Sequence, residues 1–187
     1  MTRHASAGPT RRRVLCCVAA AVSLAGCSGS TDRPAAVSLS GAGGCDQCGM
    51  VVDRQSGPSG QTYYREHSPE GHDPPARFCS TVCTFRHRFA TERRGWRPRV
   101  TYLTDYSTVD YAVREANGDR VLSAHLDAEA FGATEELRVV AGSGVEGAMG
   151  PALVPFGDDG DAEAFAAAYG GEIVDAEGIS RELVARG

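Results

Sequence analysis

The sequence predicts an α+β fold made of two related halves, each with the order strand, strand, helix, strand. In both halves, short runs typical of strands and bounded by turn residues flank a single helical segment. Both halves also repeat one order of landmarks: a turn containing methionine and glycine, a strand, a phenylalanine, a helix, a glycine and a final strand. An internal duplication explains this order, with chance as the alternative. We place the halves at residues 45–105 and 106–187, after a signal peptide at residues 1–26 and a flexible tether at residues 27–44.

The start of the chain predicts export and membrane attachment. A twin-arginine pattern at residues 11–13 precedes an apolar run at residues 14–25, which is too short to span a membrane and is typical of a signal peptide. Residues 24–27 read Leu-Ala-Gly-Cys and resemble a prokaryotic lipobox. We therefore expect Cys27 to be lipidated and to anchor the protein at the extracytoplasmic face of the cell membrane. A plain cleaved signal peptide with an incidental cysteine is the alternative.

The composition of the chain predicts a flexible tether and argues against nucleic acid as a partner. Residues 28–44 are mostly Ser, Gly, Ala, Thr and Pro, which predicts a flexible segment between the membrane and the domain. The formal net charge is −5, and the predicted signal peptide carries arginines but no acidic residue, so the rest of the chain is more acidic still. An acidic surface argues against nucleic acid as a partner.

The first half has clear local signals for each element. Strands are predicted at residues 51–52, 61–65 and 99–103 from their β-branched and aromatic residues. Ser80 is a favourable N-cap, and a helix is predicted from this residue to about residue 93, where a glycine follows.

The second half repeats the arrangement without cysteines. We predict strands at residues 109–114, at residues 137–141, within residues 148–156 and at residues 172–174. A helix capped by Asp161 is predicted to run through Tyr169, where two glycines end it. Residues 180–185 are predicted to form a last short helix.

Four cysteines stand in two short clusters that can meet at a metal ion. Cys45 and Cys48 form a C-x-x-C turn, and Cys79 and Cys83 lie four residues apart at the start of the predicted helix. Because residues four apart share a helix face, Cys79, Cys83 and His87 form one stripe. Thiolates select Cu(I), Zn(II) or iron–sulfur clusters. The spacing therefore predicts a site for a soft metal.

Two methionines and further histidines extend the candidate ligand set. Met50 directly follows the C-x-x-C turn, and Met149 occupies a similar Met-Gly position in the second half. A thioether ligand favours Cu(I), although core packing explains either methionine equally simply. His87 also fits a helix surface, and His67 and His72 are weaker loop candidates. Three interpretations of the four cysteines remain open: a labile copper site, a structural four-thiolate zinc site, or disulfide bonds.

The sequence does not predict an enzyme. Ser, His and Asp occur only as scattered residues, and no glycine-rich phosphate-binding loop follows a strand. A thioredoxin-like redox site needs its C-x-x-C motif to open a helix. Here the residues after Cys48 are predicted to continue as a strand instead.

These motifs together resemble a known family. Residues 45–50, Cys-Asp-Gln-Cys-Gly-Met, with Phe78, Cys79, Cys83, His87 and Phe89, are similar to the TRASH and YHS group of small metal-binding domains. With the lipobox, an Asp-Tyr pair at residues 105–106, Met149-Gly150, Phe156 and the glycine pair at residues 170–171, the chain resembles the NosL family of lipoproteins.

The resemblance implies a Cu(I) metallochaperone that is not an enzyme. Such a protein would deliver copper for maturation of nitrous oxide reductase, with that reductase or its assembly proteins as partners. By position, the resemblance makes Cys48 and Met50 the primary copper ligands, with a contribution from Met149. The paired Cys79 and Cys83 depart from many family members and are closer to the TRASH pattern. The alternative is therefore a zinc-stabilised TRASH-like lipoprotein module for interaction or sensing.

Overall fold

The structure is a computed structural model that describes residues 1–2 and 33–186. The predicted apolar run, the lipobox and Cys27 lie outside the described residues. Within the described ranges, no helix combines the length and the apolar character that crossing a bilayer requires.

The described chain has eleven strands and three α-helices. The first part contains β1 (Gly60–Tyr64), β2 (Ala76–Phe78), α1 (Thr81–Glu92) and β3 (Pro98–Thr104). The middle contains β4 (Val113–Ala116), β5 (Asp119–Leu122) and β6 (Phe131–Ala133). The last part contains β7 (Arg138–Ala141), β8 (Glu146–Gly147), β9 (Gly150–Pro151), β10 (Val154–Phe156), α2 (Asp159–Tyr169), β11 (Glu172–Asp175) and α3 (Arg181–Ala185).

The sheets confirm the two related ββαβ halves. In the first half, antiparallel strands lie in the order β2-β1-β3, and β6 extends the edge beyond β3. In the second half, antiparallel strands lie in the order β10-β7-β11. In each half the first strand is therefore central, and the helix connects the second strand to the third. A separate four-stranded sheet, β4-β5-β8-β9, is inserted between the repeated elements.

The two halves share one hydrophobic core. Val82 and Phe85 on α1 pack with Leu137 and Val139 of the second half, and all four are almost completely buried. Each such side chain contributes about 1.5–3 kcal/mol when it leaves water. The described residues from 33 onward accordingly form one compact unit.

Three local predictions need correction. Residues 51–52 do not form a strand. Val51 makes an isolated bridge to Gly44, and a 3-10 turn follows at Val52–Arg54. The chain turns after this single bridge, so no further strand pairing forms. Asp158, not Asp161, caps α2, since its carboxylate accepts the Asp161 N–H at 3.1 Å.

The strand predicted at residues 109–114 begins only at Val113. The turn of the β4–β5 hairpin sets the register, with Asn117 at φ 56° and Gly118 at φ 95°. Pairing ends at Val113 opposite Leu122. Beyond that pair, the Ser123 N–H still donates to the Ala112 carbonyl, but the Ala112 N–H donates to the Ser123 hydroxyl, because the Ser123 carbonyl accepts the Tyr106 hydroxyl.

Part of the predicted tether lies on the folded domain. Leu39 is 1% exposed, and its N–H donates to the Leu126 carbonyl at 2.8 Å. The buried Gln61 amide accepts the Val37 N–H at 3.0 Å and donates to the Val37 carbonyl at 2.8 Å, as a neighbouring strand would. Tyr102 donates its hydroxyl to the Pro34 carbonyl. Residues 33–44 therefore belong to the domain, because buried groups on the first sheet have partners in them.

We expect Leu39→Ala to lower the free energy of unfolding by about 2–5 kcal/mol, the usual cost of truncating a buried leucine. Val37→Ala is the matched control, because Val37 is 39% exposed and its contacts are made by the backbone. Urea unfolding of both variants measures the difference. Equal stability of the two variants would mean that this segment is not part of the core.

Candidate metal centre

The structure brings four thiols together at one point. The Sγ atoms of Cys45, Cys48, Cys79 and Cys83 all lie within 4.8 Å of one another. The Cys48 and Cys79 sulfurs are 3.5 Å apart, and those of Cys79 and Cys83 are 3.8 Å apart. Four sulfurs bound at about 2.3 Å to one tetrahedral ion stand roughly 3.8 Å apart. The group therefore has the size of a metal centre, and all four cysteines are free thiols.

A tight loop presents the first two thiols. The Cys45 N–H donates to the Met50 carbonyl, and the Gly49 N–H donates to the Cys45 carbonyl, both at 2.8 Å. Gly49 has φ +77°, a conformation that a residue with a side chain adopts only with strain. The turn buries Cys45 to 4% exposure and leaves Cys48 exposed.

The start of α1 presents the other two thiols. Cys79 directly precedes the N-cap Ser80, whose hydroxyl accepts the Cys83 N–H at 2.9 Å. The sulfurs thus lie at the N-terminal end of the helix, where the helix dipole favours thiolates. Both cysteines are buried, with exposures of 2% and 0%.

The pKa values of the three buried thiols are shifted in opposite directions. Hydrogen bonds with Cys79 and Cys83 hold the pKa of Cys45 far below its ordinary value. The hydrogen bond with Cys45, followed by that with Cys83 and by burial, raises the pKa of Cys79 well above its usual range. The hydrogen bond with Cys45 also raises the pKa of Cys83 to about 12. Negative charge in the group is therefore favoured on Cys45 over the two helix thiols.

Both predicted thioether side chains lie against the hydrophobic cluster of the first half. Met50 and Met149 are both half-buried against the hydrophobic cluster that contains Cys45, Cys79 and Cys83. Met149 also packs against the core shared by the two halves and lies beside the first residues of α1 in a small cavity. The second half of the chain therefore contributes a sulfur-bearing side chain to the hydrophobic cluster that contains three of the four thiols.

His87 lies outside the group of four thiols. Its Nδ1 is 2.9 Å from the Tyr64 hydroxyl, and its ring packs against Phe78 and Trp96. Burial lowers the pKa of His87, so the ring is held in its neutral form. Among the weaker candidates, His67 stacks on Trp96 with ring centroids 4.5 Å apart.

Asp46 has a structural role at the centre that metal-ligand motifs do not predict. Asp46 accepts the Arg77 N–H at 2.7 Å and donates its own N–H to the Arg77 carbonyl at 2.9 Å. Its other carboxylate oxygen is 2.9 Å from His72 Nε2, so this histidine is already paired. Asp46 fastens the C-x-x-C loop to β2, next to Cys79.

Comparison with known proteins gives one family and one informative structure. Residues 36–184 match the family model described as NosL. The crystal structure of the copper chaperone NosL from Shewanella denitrificans is similar, with a TM-score of 0.58 and 26% sequence identity, and the match covers 74% of this chain and 90% of that chain.

A second match is weaker. The solution structure of apo-NosL from Achromobacter cycloclastes is 22% identical, and the match covers 67% of this chain and 87% of that chain, but its TM-score of 0.35 supports no structural argument. Comparison with curated proteins gives no match.

We expect metal binding to release protons, because coordination requires thiolates and the raised pKa values keep Cys79 and Cys83 protonated at pH 7. Affinity should therefore rise with pH across the neutral range, because the pKa values of both thiols are raised. Calorimetry in buffers of different ionisation enthalpy counts the protons. Cys83→Ser should release about one proton fewer, and unchanged release would contradict the assignment.

We expect Asp46→Ala to free the C-x-x-C loop, since a hydrogen bond to a charged group is worth about 1.5–3 kcal/mol. The Arg77 amide should exchange with deuterium at least about tenfold faster, which one lost hydrogen bond of that size predicts. His72→Ala is the control, because it removes another partner of the Asp46 carboxylate and leaves the bond from the Arg77 N–H in place. Equal Arg77 exchange in the two variants would show that Asp46 is not the fastening residue.

Proposed function

Because the chain belongs to the NosL family, we propose that it is a membrane-anchored Cu(I)-binding metallochaperone that delivers copper for maturation of nitrous oxide reductase. One observation carries the choice of copper: an exposed thiol, Cys48, stands 3.5 Å from the buried Cys79 thiol, and the half-buried Met50 packs against the hydrophobic cluster that contains Cys79. Thiolate and thioether together select Cu(I). The similarity to the structure of the copper chaperone NosL from Shewanella denitrificans supports the same choice.

Transfer proceeds by ligand exchange. Copper held partly by Cys48 and Met50 is reachable from solvent, so a thiolate, imidazole or thioether of the acceptor adds to the ion as a ligand of the donor leaves. No net electron transfer or bond cleavage in the protein is needed. For this reason we propose a carrier and not an enzyme.

The acceptor is nitrous oxide reductase or one of its assembly proteins. Lipidation at Cys27 would keep the chaperone at the extracytoplasmic face of the membrane. Confinement to that surface raises the effective concentration of the carrier near membrane-bound partners.

A zinc-stabilised interaction or sensor module is the second candidate. The sulfur separations of 3.5 and 3.8 Å favour it, because they also fit a tetrahedral four-thiolate zinc site. In that case zinc would hold the fold together, and a chelator would unfold the protein.

We expect Cys48→Ser and Met50→Ala each to weaken Cu(I) binding by at least about tenfold, roughly 1.4 kcal/mol, while the circular dichroism spectrum stays unchanged. Anaerobic competition with a chromophoric Cu(I) chelator measures the affinity. Val51→Ala is the matched control, because this exposed neighbour carries no sulfur. Unfolded variants, or bound zinc that copper does not displace, would favour the structural module.

Delivery is tested in cells that make nitrous oxide reductase. Deleting the gene should lower the copper content of the purified reductase, and re-expression of the wild-type chain should restore it. Re-expression of the Cys48→Ser variant should not restore it. A fully metallated reductase in the deletion strain would show that copper goes to another acceptor.

A further inference from the structure

We propose that the outer edge of strand β11 is an interaction surface that pairs with an extended, basic segment of another protein. The added strand lies along Glu172–Asp175 and extends the second sheet beyond β11. In this mode of recognition, backbone hydrogen bonds along a sheet edge supply affinity and side chains on both faces supply specificity. The inference does not depend on which metal the thiol centre binds.

The repeated ββαβ units have four outer edges, and within the described residues three of them are closed. At β2, Asp46 donates its N–H to the Arg77 carbonyl and accepts the Arg77 N–H on its carboxylate. Strand β6 pairs with the outer side of β3. At β10, Pro155 has no N–H, and its carbonyl accepts the Tyr106 N–H at 3.0 Å. No strand of the described chain pairs with β11 on its outer side.

The register shows which backbone groups of β11 face outward. The Ala176 N–H donates to the Leu137 carbonyl at 3.0 Å, in line with the antiparallel ladder between β11 and β7. Bonded and non-bonded pairs alternate along such a ladder, so every second residue of β11 directs its backbone groups away from β7. Counting back from Ala176, these residues are Asp175 and Ile173. Ile173 therefore offers an N–H and a carbonyl to an added strand, and Asp175 offers its N–H.

The side chains of β11 leave this edge accessible. Glu172, Ile173 and Asp175 are exposed, whereas Val174 is half-buried against the core shared by the two halves. Ile173 is 39% exposed, although it is a large apolar residue. β-Branched side chains pack well against apolar residues on a neighbouring strand. An added strand would therefore cover Ile173 as well as bind its backbone.

Charge specifies the kind of strand that fits. Glu172 and Asp175 lie on β11, and Asp175 pairs with Arg138 at the mouth of an acidic cavity. The cavity is lined by four acidic residues, Glu135, Glu136, Asp158 and Asp159. Arg33 and Arg138 pair with some of these acids and leave negative charge in excess. A second copy of β11 would set acids against acids, whereas a strand with lysine or arginine on either side of apolar residues is complementary.

A synthetic peptide with the core Arg-Val-Val-Lys between glycines is the probe. In the antiparallel register, its basic residues lie opposite Glu172 and Asp175. Added to the isotope-labelled full-length protein, the peptide should shift the amide resonances of Ile173 and Asp175 and slow the exchange of these amides with deuterium. Binding should weaken as the salt concentration rises. A peptide with the core Glu-Val-Val-Glu is the matched control and should not bind.

Ile173→Pro tests the edge itself. Proline removes the outward N–H and leaves the ladder with β7 in place, so the affinity for the peptide should fall by about tenfold, the factor that one lost hydrogen bond provides. Ile173→Thr keeps the N–H and should bind the peptide almost as wild type does. Glu172→Lys leaves the backbone unchanged and should also weaken binding. All three variants should keep the wild-type affinity for Cu(I), so a failure of this inference is distinct from a failure of the proposed copper function.

Three results would overturn the inference. The first is equal binding of the basic and acidic peptides, or no binding of either at millimolar concentration. The second is a set of resonance shifts confined to other strands. The third is a dimer of the wild type in analytical ultracentrifugation that Ile173→Pro abolishes, because a second copy of the chain would then fill the edge.

Discussion

The convergence of the thiols depends on where helix α1 begins. The Ser80 hydroxyl accepts the Cys83 N–H, and the Ser80 carbonyl accepts the Thr84 N–H, so the first turn of the helix closes at this residue. Each residue of an α-helix rotates the chain by about 100°, and a start one residue later would turn Cys83 away from Cys79. The hydrogen bond from the Cys83 N–H to the Ser80 hydroxyl therefore aligns the two helix thiols. The loop that Asp46 holds brings Cys45 and Cys48 to them.

The second half of the chain keeps that helix in place. Gly60 lies under α1, where a Cβ atom would collide with the Thr84 hydroxyl, so the helix lies directly on the central strand of the first sheet. On its other side, Phe85 packs among residues of the second sheet. The half without cysteines is thus a support for the metal centre, and through Met149 it also packs against the hydrophobic cluster that contains Cys45, Cys79 and Cys83. This explains why a repeat without thiols accompanies the half that has them.

Much of this arrangement follows from local sequence signals. The ββαβ order, the Ser80 cap and the grouping of C-x-x-C with the helix cysteines all arise from spacing over a few residues. Contacts between distant residues leave no such signal. The strand-like bonding of Gln61 to Val37 and the fastening of the C-x-x-C loop by Asp46 depend on the folded sheet, so neither could be read from the sequence. For the same reason, helical spacing alone does not predict the contacts of His87. This residue lies on the same helical stripe as the cysteines, but its ring contacts Tyr64 and Trp96.

A metal carrier has two conflicting requirements, and the centre meets them in different places. Retention requires buried thiolates on a rigid element, which the N-terminal end of α1 provides. Release requires a ligand that an acceptor can approach, which the exposed Cys48 provides on a loop held by a few hydrogen bonds. If all four thiols were buried, an ion would be enclosed on every side and release would need local unfolding. Cys48 is exposed and its three neighbours are buried, and this asymmetry is what a carrier requires and a structural zinc site of the same dimensions does not.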